Sequence, residues 1–256
     1  MKPRPLRTSD VAHAVGVHPN TVRLYESWGF LPPVKRGKNG YRRFTQTHVD
    51  QLRRVRLALR ATWLGGDIRA AALGCIAHGA AGDLEGAYDR ANRLRAALQH
   101  EIDRAEAAVR ALQSWAGAGA APDDDTRFSI GETAALVDVT RDMLRNWERN
   151  GLIDVARDAD GDRAYRQADL QRLRIIRTLR QARYSTMAIL RMLNQLDRDG
   201  SGDLRTLLDT PPPDDDIHYA TDQWLSTLSE IAASADTLVA LIEQQRATVQ
   251  YVPVLG

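Results

Sequence analysis

The sequence has few of the residues on which most enzyme and metal chemistry depends. It contains one cysteine, Cys75, so no disulfide can form within the chain, which suits a reducing cytosol. A lone thiol is also no metal set, and a small buried residue is its expected role. The six histidines (His13, His18, His48, His78, His100 and His218) show no ligand spacing. No run of 18 apolar residues occurs, and Met1–Asp10 lacks the apolar core of an export signal. Membrane insertion and export are therefore not expected, and the expected location is the cytoplasm. No glycine-rich phosphate loop, nucleophile elbow or pair of catalytic carboxylates can be assembled, so neither an enzyme nor a cofactor is expected. The acidic triplets Asp123–Asp125 and Asp214–Asp216 lie beside prolines and ahead of helical patterns, which suits helix caps and solvated linkers better than ion binding.

What is present is charge, unevenly placed. The 256 residues carry a net charge of only +2 and an ordinary hydrophobic fraction of 43%. Residues 1–69 hold 14 Lys and Arg against 4 Asp and Glu, whereas residues 70–126 hold 5 against 9. Residues 127–192 return to 13 against 9, and residues 193–256 fall to 3 against 11. Two basic blocks thus alternate with acidic ones, and the basic blocks are the natural contacts for a polyanion.

The same alternation appears in the residues. Sliding the chain by 122 lays Val22-Arg23-Leu24-Tyr25-Glu26 over Leu144-Arg145-Asn146-Trp147-Glu148, and Gly29-Phe30-Leu31 over Gly151-Leu152-Ile153. After one deletion the offset is 121, and Gly40, Arg42, Phe44, Leu52, Arg56 and Ile68 meet Gly161, Arg163, Tyr165, Leu173, Arg177 and Ile189. One indel over some sixty positions marks a tandem duplication.

Each copy reads as helix, tight turn, helix, hairpin, helix. In the first, Ser9 is the expected N-cap of a helix through Val15, and Gly16 supplies the turn. Pro19 opens a second helix that Gly29 ends and Pro32-Pro33 forbid to continue. Lys35 to Phe44, with Asn39-Gly40 at its turn, reads as a β-hairpin wing. Thr47 to Ala61 returns to helical spacing. The second copy repeats the plan through Ser129, Asp138, Gly151 and Gly161, with its last helix at about Gln167–Arg183. Long apolar seams follow both copies, over 83–115 and 216–249, each at coiled-coil spacing. The expected organisation is a first winged helix-turn-helix at 1–69, a connector and coiled-coil helix at 70–115, and a flexible linker at 116–127. A second winged unit at 128–192 and a second connector and coil at 193–256 complete it, Thr210–Asp214 being a stiff joint. The fold class is mostly α.

A helix-turn-helix sets its second helix in the major groove while other cations fasten the phosphates. In the first copy that helix offers His18, Asn20, Thr21, Arg23 and Tyr25, of which Asn and Arg can read base edges. The hairpin adds Lys35, Arg36, Lys38, Tyr41, Arg42 and Arg43, and the next helix adds Arg53, Arg54 and Arg56. Three basic clusters on three elements of this plan point to double-stranded DNA.

With Thr21-Val22-Arg23-Leu24-Tyr25-Glu26, Gly29-Phe30-Leu31-Pro32 and Asn39-Gly40-Tyr41-Arg42-Arg43-Phe44, the first copy resembles the DNA-binding domain of the mercury-resistance regulator (MerR) family over residues 6–69. The second resembles it over 128–191, through Leu144–Glu148, Gly151–Ile153 and Arg163-Ala164-Tyr165. The resemblance implies a bacterial regulator that binds promoter DNA and twists an overlong spacer so that RNA polymerase engages both promoter elements. It also implies DNA contacts at Thr21, Arg23, Tyr25, Tyr41 and Arg42.

The second copy departs from this pattern. Its wing carries Asp154, Asp158, Asp160 and Asp162 where the first has Lys35, Lys38 and Tyr41, and carboxylates repel phosphates. Trp147 stands where the family has Tyr. Arg141, Arg145, Arg163 and Arg166 remain, so weaker DNA contact is expected there. Ordinary members carry one unit and dimerise through antiparallel long helices. Two units and two matched seams in one chain suggest a monomeric pseudo-dimer on an imperfectly palindromic site. A small-molecule effector would have to bind near Trp63, Trp115, Tyr184, Tyr219 or Trp224, though such aromatics are more often core, and no dedicated ligand module follows the last helix. Two other readings stay open, a protein that sequesters a drug or metabolite on a regulator-like scaffold and an accessory protein that bends DNA.

Overall fold

The computed structural model describes residues 4–118, 125–199, 203–210 and 223–250. Asp123, Asp124, the Asp214–Asp216 triplet, Pro211–Pro213, His218, Tyr219 and the expected start of the second seam at 216–222 lie outside the described residues. The elements begin with α1 (Thr8–Val15), α2 (Pro19–Ser27), β1 (Lys35–Arg36), β2 (Arg42–Arg43) and α3 (Gln46–Leu59). After a short 3-10 turn come α4 (Gly66–Ala80), α5 (Leu84–Gly117), α6 (Ile130–Val137), α7 (Arg141–Arg149) and α8 (Gln167–Gln181). The last are α9 (Thr186–Asp199), α10 (Leu204–Asp209) and α11 (Trp224–Gln250). The fold is mostly α with two tandem helix-turn-helix units.

Two compact units divide the chain. The first runs from the N-terminus to His100 and also takes the residues from Glu230 onward, and the second is Glu101–Ser229. The first is built on Val11, Ala12, Val15, Val22, Leu31, Phe44, Val49 and Leu52, all buried. All but Leu31 and Phe44 come from α1, α2 and α3 at helical spacing, with Leu31 after α2 and Phe44 closing the wing onto them. Leu6 and Phe44 exchange both backbone hydrogen bonds, at 2.9 and 3.0 Å. The second unit repeats this ribbon as Phe128 and Tyr165, both bonds 2.9 Å.

The tight turn of each helix pair shows one solution reached with two residues. Gly16 follows α1 at φ 67°, and Asp138 follows α6 at φ 53°, both left-handed. Glycine adopts that region freely, whereas aspartate is tolerated there at a cost its short polar side chain can offset. Arg177 of α8 pairs with the Asp138 carboxylate, and its counterpart Arg56 of α3 donates to the Val15 carbonyl. Arg56 is therefore spent on the turn. Arg54, grouped with it in sequence, is 3% exposed. Of that expected phosphate-binding trio Arg53 and Arg56 stay exposed, Arg53 paired with Asp50 at 3.6 Å.

Ser9 is not the cap of α1. Arg7 occupies the cap position, its N–H donating to the Asp10 carboxylate at 2.8 Å, and Ser9 lies in the first turn. In the second unit Ser129 does cap its helix, in a reciprocal pair with Glu132, whose carboxylate accepts the Ser129 N–H at 2.8 Å. The repeat already laid Ser129 over Arg7, and the serine in the first copy stands two residues late.

Helix α4 falls mostly in the connector expected from residue 70, and α9 runs across the expected end of the second winged unit at 192. In α4 the buried side chains are Ile68, Ala71, Ala72, Cys75 and Ile76, and burial pushes the Cys75 thiol up to about 11. In the first unit, buried Ala87, Ala91, Leu94 and Leu98 of α5 share the core with Ile231, Ala235, Leu238, Val239 and Ile242 of α11. The two segments run antiparallel. Arg246 holds Glu85 through two bonds, at 2.7 and 2.5 Å, and the Tyr88 hydroxyl donates to Glu243 at 2.7 Å. In the second unit, Ala105, Ala108, Val109 and Leu112 of α5 are buried with Leu204 and Leu208 of α10 and Trp224, Leu225 and Leu228 of α11. The Asp209 carboxylate accepts the Leu225 N–H at 3.0 Å and so caps α11. By length and composition alone, Trp224–Thr248 could cross a membrane, with mean hydropathy 1.4. Its buried residues recur at three and four, as in a core helix. Tyr184 and Trp224 are core, Trp63 is half exposed, and Trp115 is partly buried.

Candidate nucleic-acid interface

Helix α2 starts with Pro19, whose missing N–H costs nothing in a first turn, and the His18 ring accepts the Asn20 N–H at 3.2 Å. Its inner face supplies Val22, fully buried. Its outer face leaves His18, Asn20 and Arg23 exposed, with Thr21 half-buried. The Asn20 amide oxygen accepts from Arg23 at 2.6 Å, which holds the guanidinium on the helix surface. Tyr25 is half-buried and tilts against Trp28 and Phe30, with ring centroids 5.8 and 5.9 Å away. Its ring is part of the packing between helix and core.

The wing is a two-rung antiparallel ribbon, Lys35 opposite Arg43 and Arg36 opposite Arg42. Four cations facing each other in two rungs repel, and only a neighbouring anion offsets that cost. One anion is internal. Glu26 of α2 accepts from the Arg42 guanidinium and joins the recognition helix to the wing. Lys35, Arg36, Lys38 and Arg43 are exposed, and Tyr41 is 74% exposed at the wing turn.

These elements enclose a groove of about 610 Å³ between the starts of α1 and α2 and the wing. Arg7, Arg23, Asn39, Tyr41 and Arg42 line it with Thr8 and Ser9, and no carboxylate is among its lining residues. A second hollow beside it, sharing Arg7, Tyr41 and Arg42, adds Lys38 and Arg43. Arg23 thus meets Tyr41 and Arg42 in the groove, and Lys38 and Arg43 meet them in the hollow beside it. Lys35, Arg36, His18, Asn20, Thr21 and Tyr25 lie on the same elements but do not line the groove.

The second unit builds the matching groove, of about 390 Å³, from Arg127, Ser129, Arg145 and Arg163, and adds Asp158 and Asp162. Glu148 takes the place of Glu26. It accepts from Arg163 at 2.6 Å and from Arg157 at 3.0 Å, so both wing arginines that form the Arg157–Arg163 bridge share one internal carboxylate. Asp158 has a structural use, since its carboxylate accepts the N–H groups of Asp160 and Asp162 at 3.1 and 2.8 Å and folds the turn. Arg145 is paired with Asp142 at 2.9 Å. Arg141 and Arg166 do not reach the groove. Arg141 lies over Gly131, where a Cβ would stand 2.8 Å from its Nη2, and the Arg166 N–H is bound by Asp169 at 2.7 Å in the cap of α8. Trp147 is 4% exposed and belongs to the core.

The description "MerR HTH family regulatory protein" matches residues 6–61 and again residues 128–196. The chain belongs to the MerR family. Among its relatives, the HTH-type transcriptional regulator CueR of Escherichia coli O6:H1 is 40% identical over 53 residues, 21% of this chain and 39% of that protein. The HTH-type transcriptional regulator ZntR of Escherichia coli K12 is 37% identical over 68 residues, 26% of this chain and 48% of its own length. CueR of Vibrio cholerae O1 is 38% identical over 47 residues, 18% of this chain and 34% of its own. The chain therefore spans less than half the length of each of these relatives. No solved structure matches it.

Both MerR segments contain the helix pair and the wing that form a groove, so family and geometry coincide. Arg7, Asn39, Glu26 and Glu148 were not among the expected site residues. Glu26 and Glu148 fall on each other in the repeat, which was the available signal. A carboxylate beside a phosphate site reads as repulsive until its arginine partner is seen.

Proposed function

We propose that this MerR-family chain is a sequence-specific regulator that binds promoter DNA through both of its units. The carboxylate-free groove carrying Arg7, Arg23, Tyr41 and Arg42 is the observation on which this rests. In this reading α2 enters the major groove, the wing lies along the phosphates, and the second unit makes a weaker, differently specified contact. The chain acts in the cytoplasm as a pseudo-dimer on an imperfect palindrome, and by analogy with its family it distorts the site to control RNA polymerase. The alternating acidic and basic blocks support the polyanion contact, because only the segments carrying the helix pairs are basic. A footprint on the DNA upstream of its own gene, over a salt series, tests it. Two unequal protected half-sites, lost steeply with rising salt, are expected. Absence of specific protection at low salt would overturn the reading, and protection of one half-site would restrict it to the first unit.

A further inference from the structure

The first unit holds a buried cation that the DNA site does not use. Arg54 on α3 is 3% exposed, and neither its Nε nor its Nη1 has a hydrogen-bond partner. Leaving an ionised group desolvated and unpaired is among the most costly arrangements in a protein. Arginine cannot escape that cost by losing its proton at any ordinary pH, although burial pulls its pKa down. Asp50, the carboxylate that acts on it through charge, is already engaged, since it accepts from Gln46 at 2.9 Å and pairs with Arg53 at 3.6 Å.

Arg54 lines a cavity of about 530 Å³ formed by α3, the end of α4, the start of α5 and the last turns of α11, all within the first unit. That volume suits a small organic molecule. Leu84 and Leu241 give it an apolar wall, and Gln245, whose Oε1 is also buried without a partner, gives it a free amide acceptor. Its charged lining is two guanidinium groups, Arg53 and Arg54, against one carboxylate, Asp50. One positive charge is left over.

We propose that this cavity binds a small organic monocarboxylate, its oxygens on the Arg54 guanidinium and its apolar body against Leu84 and Leu241. A carboxylate supplies the missing acceptor, a single negative charge balances the lining, and the leucines select an organic anion over a hydrated inorganic one. The helix that carries Arg54 also grips the helix-turn-helix. Gln51 donates to the Phe30 and Ile76 carbonyls, both at 2.9 Å, and Arg56 donates to Val15. Control of DNA affinity by the ligand follows only if the DNA reading holds, whereas binding itself does not depend on it.

The test therefore uses the full chain without DNA, at fixed ionic strength. Acetate, benzoate and phenylacetate are compared with neutral benzamide and with inorganic phosphate by thermal unfolding. At about 20 mM, benzoate or phenylacetate should raise the Tm saturably by about 2 °C or more, while benzamide and phosphate should leave it unmoved. Arg54→Met should abolish the response without lowering the Tm of the unliganded protein, because an unpaired buried charge is removed. Should that variant fail to fold, Leu241→Trp fills the cavity and leaves the charge in place, and it too should abolish the response. Equal shifts with benzoate and benzamide, a response retained in either variant, or no shift with any carboxylate would overturn the proposal.

Discussion

Arg42 and Glu26 explain how a cluster of cations can be both stable and available. Glu26 holds one guanidinium at the base of the wing, and the other wing cations stay exposed for an external anion. A partly solvated pair of this kind adds little to stability, so its use is orientation. Arg23→Ala and Arg42→Ala should each weaken operator binding by about 1–3 kcal/mol, the range for charge-assisted contacts. Arg145→Ala and Arg163→Ala should cost less, because Asp158 and Asp162 line their groove and repel phosphate. Titration of each variant against labelled operator decides it, and equal losses in the two units would mean that the acidic wing is no handicap. His48 gives a second residue-scale prediction. Burial, the largest influence, holds its pKa below the usual 6.5. The unfolded chain then binds the proton more readily, so the stability this histidine contributes is complete above the unfolded pKa and is lost as pH falls below it. Denaturant midpoints from neutral pH down to mildly acidic pH should therefore fall more steeply for the wild type than for His48→Gln.

At the scale of the element, the two wings are a natural comparison on one scaffold. The first pairs four cations across two rungs, whereas the second keeps one bridge, two arginines sharing the Glu148 carboxylate, and aspartates at its turn. Asp160→Asn with Asp162→Tyr would restore the first wing's chemistry at those positions while leaving Asp158 to fold the turn. This double variant should bind DNA about three- to tenfold more tightly at moderate salt and show a steeper salt dependence, since it removes two charges that repel phosphate. An unchanged affinity in a salt-series titration would place the second wing away from the backbone. The helix pairs and wings were legible because period, turn residues and the repeat all agree, down to Ser129 and Asp138. The connector helix α4 was not, because Ala70, Leu73 and Ala77 on its other faces blur the stripe of Ile68, Ala71, Ala72, Cys75 and Ile76 that it buries. Arg54 was misassigned for a related reason, since the sequence shows three arginines in four positions but not that one of them points inward. The groove's cations were largely foreseen, but the carboxylates that hold them were not, because their role depends on a partner 15 or 16 residues away.

For the whole molecule, the first unit is not a contiguous stretch of sequence. Its core takes Ala87, Ala91, Leu94 and Leu98 from α5 and Ile231, Ala235, Leu238 and Ile242 from α11, which lie more than half the chain apart. In family members with one unit, the helix pairing with α5 would come from a second chain. Here the same chain supplies it, fixed at the Glu85–Arg246 pair and the Tyr88–Glu243 hydrogen bond. The surface through which such proteins dimerise is thus already occupied in the first unit, and this supports a functional protein of one chain. Light scattering of the full chain at micromolar concentration should give one 28.5 kDa mass. A chain cut after Gly117 keeps the first helix pair, wing and α5 but loses α11, which exposes the apolar face of α5. Burial of that face is the dominant favourable term available to it, so the truncated chain should self-associate while the full chain does not. A full-length mass of two chains that persists on dilution, or a truncated chain that stays monomeric and folded, would show that α11 is not the partner that closes this seam.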